Sequence, residues 1–149
     1  MIVKTGIDII EVSRIEESIK KFKDSFLNRI YTEKEIEYCE SKKVQKFQSY
    51  AGRFAAKEAV FKCVSELLDN KFDIEWKDIE ILNDKNGRPF VMFHGNLQKN
   101  LPRGISVCNV LDKDLAHNCK TNTDFQIDLS ISHINNVAVA SAVIQMEGK

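Results

Sequence analysis

The order of the predicted elements points to an α+β fold in which helices pack on a mostly antiparallel sheet. Three observations predict this fold: an apolar, β-branched strand opens the chain, helical patterns follow as far as about Leu68, and two hairpin patterns occupy most of the second half. No linker, internal repeat or low-complexity tract divides the 149 residues. We therefore expect a single domain that covers residues 1–149.

The predicted helices lie in the first half, after the strand Ile2–Ile10. Ser13 with Glu16 and Thr32 with Glu35 each have the spacing of a capping box, in which two side chains satisfy free backbone groups at a helix start. The first box precedes apolar residues spaced by four, three and four, which predict one amphipathic helix with the stripe Ile15, Ile19, Phe22 and Phe26.

The second capping box opens a short helix that is predicted to run through about Cys39. A long helix is predicted from about Phe47 to Leu68, because this segment is rich in Ala, Phe and Leu and contains no Pro. A further short helix is expected at Gly95–Leu101.

Two pairs of apolar runs, each separated by turn-forming residues, predict two hairpins. The first pair is Trp76–Leu82 and Phe90–Phe93, around the loop Asn83–Pro89. The second pair is Ile127–His133 and Val137–Ile144, around Ile134-Asn135-Asn136. We expect the two asparagines of that turn to adopt positive φ.

Composition and charge argue against several classes of protein. The 22 basic and 22 acidic residues give no net charge, whereas a general nucleic-acid binder normally has a basic excess. No apolar run approaches the ~20 residues of a membrane helix. Met1–Asp8 also lacks the apolar core of a signal peptide, so the expected location is the cytoplasm.

The cysteines form no C-x-x-C pair, so they predict reduced, packed thiols rather than a zinc or redox site; they are Cys39, Cys63, Cys108 and Cys119. A set of possible metal ligands lies close together in sequence and is interpreted as a chance feature of a polar loop: Asp112, Asp114, His117 and Cys119.

Asp8 is the first candidate for chemistry, because it interrupts the apolar run Gly6–Ile10. A carboxylate in a buried strand is costly unless it is paired or bound to a cation. Alternation along the strand offers a second interpretation, in which Asp8 simply lies on the exposed face.

The segment Gly52–Lys62 is the second candidate. On a helix, Glu58 and Lys62 lie one turn apart on one face, and Arg53 and Lys57 lie one turn apart on another edge. The alternative for Glu58 and Lys62 is an ordinary surface ion pair worth about 0.3–0.5 kcal/mol. The surrounding residues 42–62 carry six basic side chains against one acidic side chain, which suits a phosphorylated or acidic partner or a solvated helix face.

The third candidate is Ser130-Ile131-Ser132-His133 at a predicted strand end. No nucleophile elbow surrounds either serine, so a hydrolase triad is not indicated.

When all of these motifs are taken together and in chain order, the chain resembles the holo-[acyl-carrier-protein] synthase type of 4′-phosphopantetheinyl transferase. The resemblance covers nearly the whole chain, and its motifs are Gly6–Ile15, Phe26–Glu35, Arg53–Ala59 with Lys62, Asn83–Pro89 and Ser130–His133.

The resemblance implies a fold, a reaction and a metal. Such enzymes transfer the 4′-phosphopantetheine arm of coenzyme A to a serine of an apo acyl carrier protein, which supports fatty acid biosynthesis. By this resemblance Asp8 and Glu58 would be ligands of Mg²⁺, which favours oxygen donors and keeps several waters. Glu58 would also accept the proton of the carrier serine, and Lys62 would offset charge on the departing adenosine 3′,5′-bisphosphate.

The resemblance also implies the sites that bind the substrates. Arg53 and Lys57 would bind phosphates, His133 would contact the nucleotide, and the loop with Gly87 and Pro89 would lie close to the pantetheine arm. Arg14 would contact the acidic carrier, and charge alone would extend that patch to Lys20, Lys21 and Lys23. The resemblance further implies a homotrimer with active sites between subunits. Charge and apolar run length predict that neither nucleic acid nor a membrane is a partner.

Two segments depart from the pattern of this family. Cys63–Leu68 is predicted to continue as helix where a glycine-containing turn is usual, and Pro102–Gln126, with one possible strand at Ile105–Leu111, is longer than usual. Two other functions are considered: a coenzyme A or nucleotide-binding protein of the same fold that has lost turnover, and a nucleic-acid module that uses the basic segment 42–62. The first is disfavoured by the joint presence of Asp8, Glu58 and Lys62, and the second by the lack of a reading motif.

Overall fold

Five α-helices and five strands lie within the residues that the computed structural model describes, namely 1–68, 74–101 and 125–146. In chain order they are Ile2–Glu11 (β1), Val12–Phe22 (α1), Asp24–Ile30 (α2), Glu33–Ser41 (α3), Lys46–Val64 (α4), Ile79–Asn83 (β2), Pro89–Phe93 (β3), Gly95–Asn100 (α5), Phe125–His133 (β4) and Val137–Met146 (β5).

The strands form two antiparallel sheets. The three longer strands make up one of them, in which β5 lies between β1 and β4. In this three-stranded sheet Asp8 is opposite Ala140, and Ala140 is opposite Ile131. The hairpin β2–β3 forms the second sheet, with Ile81 opposite Val91. Helices packed on antiparallel strands confirm the predicted α+β fold.

Helix α4 lies across one face of the three-stranded sheet because its contact surface is made of small residues. Ala55, Ala56 and Ala59 are fully buried there. The approach is closest at Gly6 of β1, where an added Cβ would lie 2.0 Å from the carbonyl oxygen of Ala59. This contact fixes β1 against the C-terminal half of α4, so residues on these two elements can share one site.

The first predicted helix is wrong in two respects. The chain breaks at Lys23, which has a φ of 48°, so the predicted stripe is divided between α1 and α2. The capping box at Ser13 is also absent, since α1 starts at Val12 and no side chain caps it. The backbone N–H of Val12 instead donates to the carbonyl of Asn136, 2.9 Å away, so a tertiary contact replaces the local cap.

The second capping box is confirmed. The Thr32 backbone N–H donates to Glu35 Oε2 at 2.8 Å, and the Glu35 N–H donates to the Thr32 hydroxyl. Helix α4 ends at Val64 and continues as a 3-10 turn over Ser65–Leu67, close to the predicted end.

Details of both hairpins differ from the predictions. Trp76–Asp78 forms a 3-10 turn, and strand β2 begins only at Ile79. In the second hairpin, neither Asn135 nor Asn136 has positive φ; among the described non-glycine residues only Lys23 and Lys43 do. The short helix expected at Gly95–Leu101 is confirmed as α5.

Several expectations lie partly or wholly outside the described residues. These are the strand at Ile105–Leu111, two of the four cysteines, and the cluster from Asp112 to Cys119. The described cysteines, Cys39 and Cys63, are buried free thiols, and burial raises the pKa of Cys39 to about 12. No helix within the described ranges combines the length and the apolar character that crossing a membrane requires.

Candidate active site

Asp8 lies on the face of β1 that is turned toward α4. Its side chain is only 19% exposed, and its Oδ1 lies 3.0 Å from Lys62 Nζ. The same ammonium donates to the carbonyl oxygen of Ile7 at 2.7 Å. The exposed-face interpretation of Asp8 is therefore wrong, because this carboxylate is largely covered and paired with a cation.

Glu58 is half-buried on α4 and its pKa is raised. Burial is the larger cause, and the negative charge of Asp8 adds to it, while the positive charge of Lys62 acts in the opposite direction. The two carboxylates therefore feel each other electrostatically, and Lys62 lies within reach of both. Lys62 therefore pairs with Asp8 on a different element of the fold. The interpretation of Lys62 as only the surface partner of Glu58 does not account for this contact.

A cleft of about 340 Å³ opens beside these carboxylates, between β1, α1, α2 and α4. Its polar lining comes from Asp8, Glu58, Arg14 and Ser18. Apolar residues complete the lining: Ile9, Ile10, Ile15, Phe26 and Phe54. The sequence predictions missed Ser18 and Phe54; the signal for Ser18 is its position one helical turn after Arg14.

The oxygen donors of Asp8 and Glu58 suit a magnesium ion. Mg²⁺ typically takes one or two carboxylates from a protein and completes its shell with water and substrate phosphates. Within residues 1–68, 74–101 and 125–146 there is no group of three or more His, Cys, Asp or Glu side chains that could hold a metal. A pair of carboxylates in an open cleft meets the protein's share of such a site, and the Asp8 charge that raises the pKa of Glu58 is one that a cation would offset.

Lys57 differs from its predicted role. Its side chain has no exposed surface, and its Nζ lies 2.8 Å from Glu35 Oε2. The ammonium also donates to the carbonyl oxygens of Trp76 and Ile79. These three acceptors use all three of its hydrogens, so Lys57 is not part of the phosphate site that the sequence predicted.

Arg53 is also buried, with 4% of its surface exposed. Its guanidinium lies 3.9 Å from the ring centroid of Tyr38, and its Nη2 donates to Asn83 Oδ1 at 2.7 Å. Asn83 Nδ2 in turn donates to the carbonyl oxygen of Gly87 at 2.8 Å. Asn83 therefore connects Arg53 of α4 to the hairpin loop, a link that the sequence analysis did not identify.

The hairpin loop has the conformation that its sequence requires. Gly87 has a φ of +81°, which favours glycine, and Pro89 begins β3. Asp84 Oδ1 accepts hydrogen bonds from the backbone N–H groups of Asn86 and Arg88, both at 2.8 Å. The loop is thus a fixed turn next to Arg53, although Gly87 and Pro89 do not line the cleft beside Asp8.

His133 ends β4, the outer strand of the three-stranded sheet, and its side chain is exposed. It is opposite Ala138, which is opposite Ile10, so it shares the α4-facing side of the sheet with the site. It does not line the cleft. Within one chain the structure therefore brings together Asp8, Glu58, Lys62 and Arg14, and places His133 two strands away.

Comparison with known sequences decides the family. The pattern of the 4′-phosphopantetheinyl transferase superfamily matches residues 4–140. This chain belongs to that superfamily. It is 39% identical over 145 residues to a holo-[acyl-carrier-protein] synthase of Koribacter versatilis, which covers 97% of this chain and 99% of the relative. It is 42% identical over 147 residues to the Caldicellulosiruptor saccharolyticus protein of that name, which covers 99% of both chains.

Solved structures of this superfamily share the fold. A holo-(acyl-carrier-protein) synthase of Bacillus anthracis in complex with CoA (3′,5′-ADP) has a TM-score of 0.66 and 33% identity, over 99% of both chains. The ACPS–CoA complex of Chronobacterium ammoniagenes has a TM-score of 0.75 at 20% identity, over 99% of this chain and 100% of that one. The fold predicted for a 4′-phosphopantetheinyl transferase is therefore confirmed.

The basic side chains of α1 lie beside the cleft of this transferase. Arg14, Lys20 and Lys21 are all exposed, and Arg14 itself lines the cleft. Lys20 pairs with Glu16 at 2.6 Å, one helical turn before it. An acidic partner that docks on α1 would therefore meet Arg14 at the entrance and the two lysines farther along the helix.

Proposed function

We propose that this protein transfers the 4′-phosphopantetheine arm of coenzyme A to a serine of an apo acyl carrier protein. The products are the holo carrier protein and adenosine 3′,5′-bisphosphate. The observation that carries the proposal is that Asp8 and Glu58 line one cleft and Lys62 pairs with Asp8, on a fold for which solved relatives are complexes with coenzyme A. The full-length similarity to holo-[acyl-carrier-protein] synthases supports the same substrates.

The reaction is a phosphoryl transfer, so the protein mainly positions groups and neutralises charge. The carrier serine Oγ forms a bond to the β-phosphorus of coenzyme A, and the bond from that phosphorus to the bridging oxygen breaks. The electron pair of the broken bond leaves with adenosine 3′,5′-bisphosphate. The serine proton goes to Glu58, directly or through one water.

Glu58 suits the role of base because its pKa is raised above that of an ordinary carboxyl group. A base is most effective when its pKa lies near the working pH while its proton-accepting form is still populated. Asp8 and Glu58 would also hold Mg²⁺, which when bound neutralises charge on the coenzyme pyrophosphate. Both carboxylates line the same cleft, which supports this assignment.

Lys62 would stabilise the negative charge of the leaving bisphosphate. Its side chain is 47% exposed, so its ammonium can reach a phosphate while it stays near Asp8. Arg53 would fix the hairpin loop through its hydrogen bond to Asn83. We therefore assign it an indirect role in coenzyme binding instead of the predicted direct contact with phosphate. For His133, contact with the nucleotide remains a proposal; its exposed position on the outer strand would suit a coenzyme that spans two subunits.

A homotrimer would account for the open face of the three-stranded sheet. Ile7 and Ile9 of β1 point away from α4 and are 64% and 69% exposed. Val3 and Val143 on the same face are also exposed. Exposed apolar patches of this kind mark interaction surfaces, and packing against two further copies would bury them.

The reaction can be tested by intact mass spectrometry of an apo acyl carrier protein incubated with this protein, coenzyme A and Mg²⁺. We expect the carrier to gain ~340 Da, the mass of a phosphopantetheine arm from its covalent formula. The gain should disappear when EDTA removes the metal. Binding of coenzyme A without any mass gain on several carriers would favour a binding protein without turnover.

A further inference from the structure

A buried ion pair joins α4 to α3 at the residue before Glu58. Lys57 and Glu35 have no exposed side-chain surface, and Lys57 Nζ lies 2.8 Å from Glu35 Oε2. Burial lowers the pKa of Lys57, and the opposite charge of Glu35 counteracts this effect. Neither side chain lines the cleft beside Asp8.

The remaining hydrogen bonds of this pair connect it to the chain on both sides. Lys57 Nζ donates to the carbonyl oxygens of Trp76, at 3.1 Å, and Ile79. Glu35 Oε1 accepts from the backbone N–H of Ile81 at 2.9 Å. Together these contacts fasten α4 to the start of β2, on the side of the helix away from β1.

Glu35 is itself held by the start of its own helix. Its Oε2 accepts from the Thr32 backbone N–H at 2.8 Å, and the Thr32 hydroxyl donates to Glu80 Oε1 at 2.6 Å. Glu80 Oε2 lies 2.9 Å from His94 Nε2. The carboxylate that receives Lys57 is therefore fixed by a network that extends over α3, β2 and the start of α5.

Stability alone is a weak reason for such a pair. Removing two charges from water is costly, and replacing a buried ion pair by apolar side chains of similar volume is often neutral or stabilising. In some proteins, however, a buried polar or ionic pair is retained because it fixes one register or arrangement of the elements that it joins. On α4 that fixed point immediately precedes Glu58, and Gly6 holds the opposite side of the helix near Ala59.

We propose that the Glu35–Lys57 pair is a positioning element that sets the rotation and axial position of α4 so that Glu58 faces Asp8. This inference rests on the proposed function, because it assigns the pair to the transfer reaction. Lys57 does not touch substrate in this role: its three hydrogens remain with Glu35, Trp76 and Ile79. The pair should therefore affect the chemical step and leave coenzyme binding nearly unchanged.

The test is the double variant Glu35→Gln with Lys57→Met, which removes both charges together and leaves no unpaired ion in the core. We expect kcat for transfer to a carrier to fall about 10–100-fold, the effect of a misplacement of about 1 Å at a catalytic group. The KM for coenzyme A should change less than about three-fold, since no binding contact is lost.

The control is Ile144→Ala, which opens a cavity in the core under β5 without touching the network. Its midpoint of thermal unfolding should fall at least as far as that of the double variant, while kcat per folded molecule stays at the wild-type value. Should the double variant not fold, Glu35→Asp keeps the charge pair but withdraws the carboxylate, and it should lower kcat with the same KM pattern.

Three results would overturn the inference. One is a raised KM with unchanged kcat, which would mean that Lys57 binds the coenzyme directly. Another is unchanged kinetics in the double variant, or in Glu35→Asp if only that variant folds. The last is a loss of kcat in Ile144→Ala as large as in the double variant. Failure of the wild-type protein to modify any carrier would instead refute the proposed function.

Discussion

Lys62 Nζ lies 3.0 Å from Asp8 Oδ1 and so connects α4 to β1 at the edge of the cleft. One lysine is thereby shared between two carboxylates, because Glu58 also feels its charge. The positive charge of Lys62 only partly offsets the other influences on Glu58. Lys62 is thus in direct contact with Asp8, while burial and the negative charge of Asp8 together raise the pKa of Glu58.

Glu58→Gln should abolish most of the transfer activity while preserving the fold. Loss of a general base typically costs about 10²–10⁴-fold in rate, and here a metal ligand would be lost with it. The variant should be at least as stable as wild type, because a half-buried charge near Asp8 is removed. Transfer rates and thermal unfolding would check this prediction. The control is Glu66→Gln, an exposed position in the 3-10 turn that follows α4. Near-wild-type turnover of Glu58→Gln would contradict the prediction.

The acidic limb of the pH profile should follow Glu58. Its raised pKa means that a larger fraction is protonated, and therefore inactive as a base, at mildly acidic pH. The midpoint of the limb in kcat/KM should move to higher pH as the Mg²⁺ concentration is lowered, because a bound cation favours the ionised carboxylate. The residual activity of Glu58→Gln should lack this limb; a limb that persists unchanged would assign it to another group.

The raised pKa also has a consequence for stability. A carboxyl group whose pKa is higher in the folded protein binds more protons folded than unfolded between the two pKa values. Its contribution therefore declines as pH rises through that window. The difference in free energy of unfolding between wild type and Glu58→Gln should grow in favour of the variant over this range, as urea titrations at several pH values would measure.

Local patterns predicted the features that depend on neighbours in sequence. The Thr32–Glu35 capping box was found because both partners lie within one turn, and the fold class followed from element order. The Ser13–Glu16 box failed because Asn136, from a distant turn, supplies the acceptor for Val12 instead. The spacing of residues near Ser13 cannot predict a contact with a residue so far away in the chain.

The same distinction between local patterns and contacts of distant elements applies to the site. Motifs made Asp8 and Glu58 candidates, and the structure places both at one cleft. The pairing of Lys62 with Asp8, however, depends on how β1 packs on α4 at Gly6. Lys57 was misassigned because a lysine in a basic segment gives no sign that Glu35, Trp76 and Ile79 surround it.

Arg14→Glu should weaken the reaction with the carrier more than the binding of coenzyme A. Arg14 lines the cleft and is exposed, so an acidic carrier would meet a repulsive charge at the entrance. We expect the KM for the carrier to rise about ten-fold, equivalent to about 1.4 kcal/mol. The effect should shrink at high salt. Lys99→Glu, an exposed charge reversal on α5, is the matched control, and equal effects of both would refute a specific contact.

Gly6→Ala should be strongly destabilising because β1 has no room for a Cβ. The added atom would lie 2.0 Å from the carbonyl oxygen of Ala59 and 3.1 Å from Cys63 Sγ. Backbone must move to relieve this overlap, at a cost of about 3 kcal/mol, the upper end of the usual range for overpacking. Gly87→Ala meets no neighbour and pays only the strain of its positive φ, about 1–2 kcal/mol. Denaturant unfolding of both variants would show the difference, and equal losses would contradict the close contact.

Ile7→Lys should dissociate the proposed trimer without unfolding the subunit. Ile7 projects from β1 away from α4, so a lysine there remains solvated in a monomer. In an assembly it would replace apolar burial worth about 1.5–3 kcal/mol per side chain with an unpaired charge. Size-exclusion chromatography with light scattering should show a trimer for the wild type and a monomer for this variant. Val44→Lys, at a 91% exposed position outside the sheet, should remain a trimer. A wild-type monomer, or a trimer that survives Ile7→Lys, would mean that the open sheet face is not the interface.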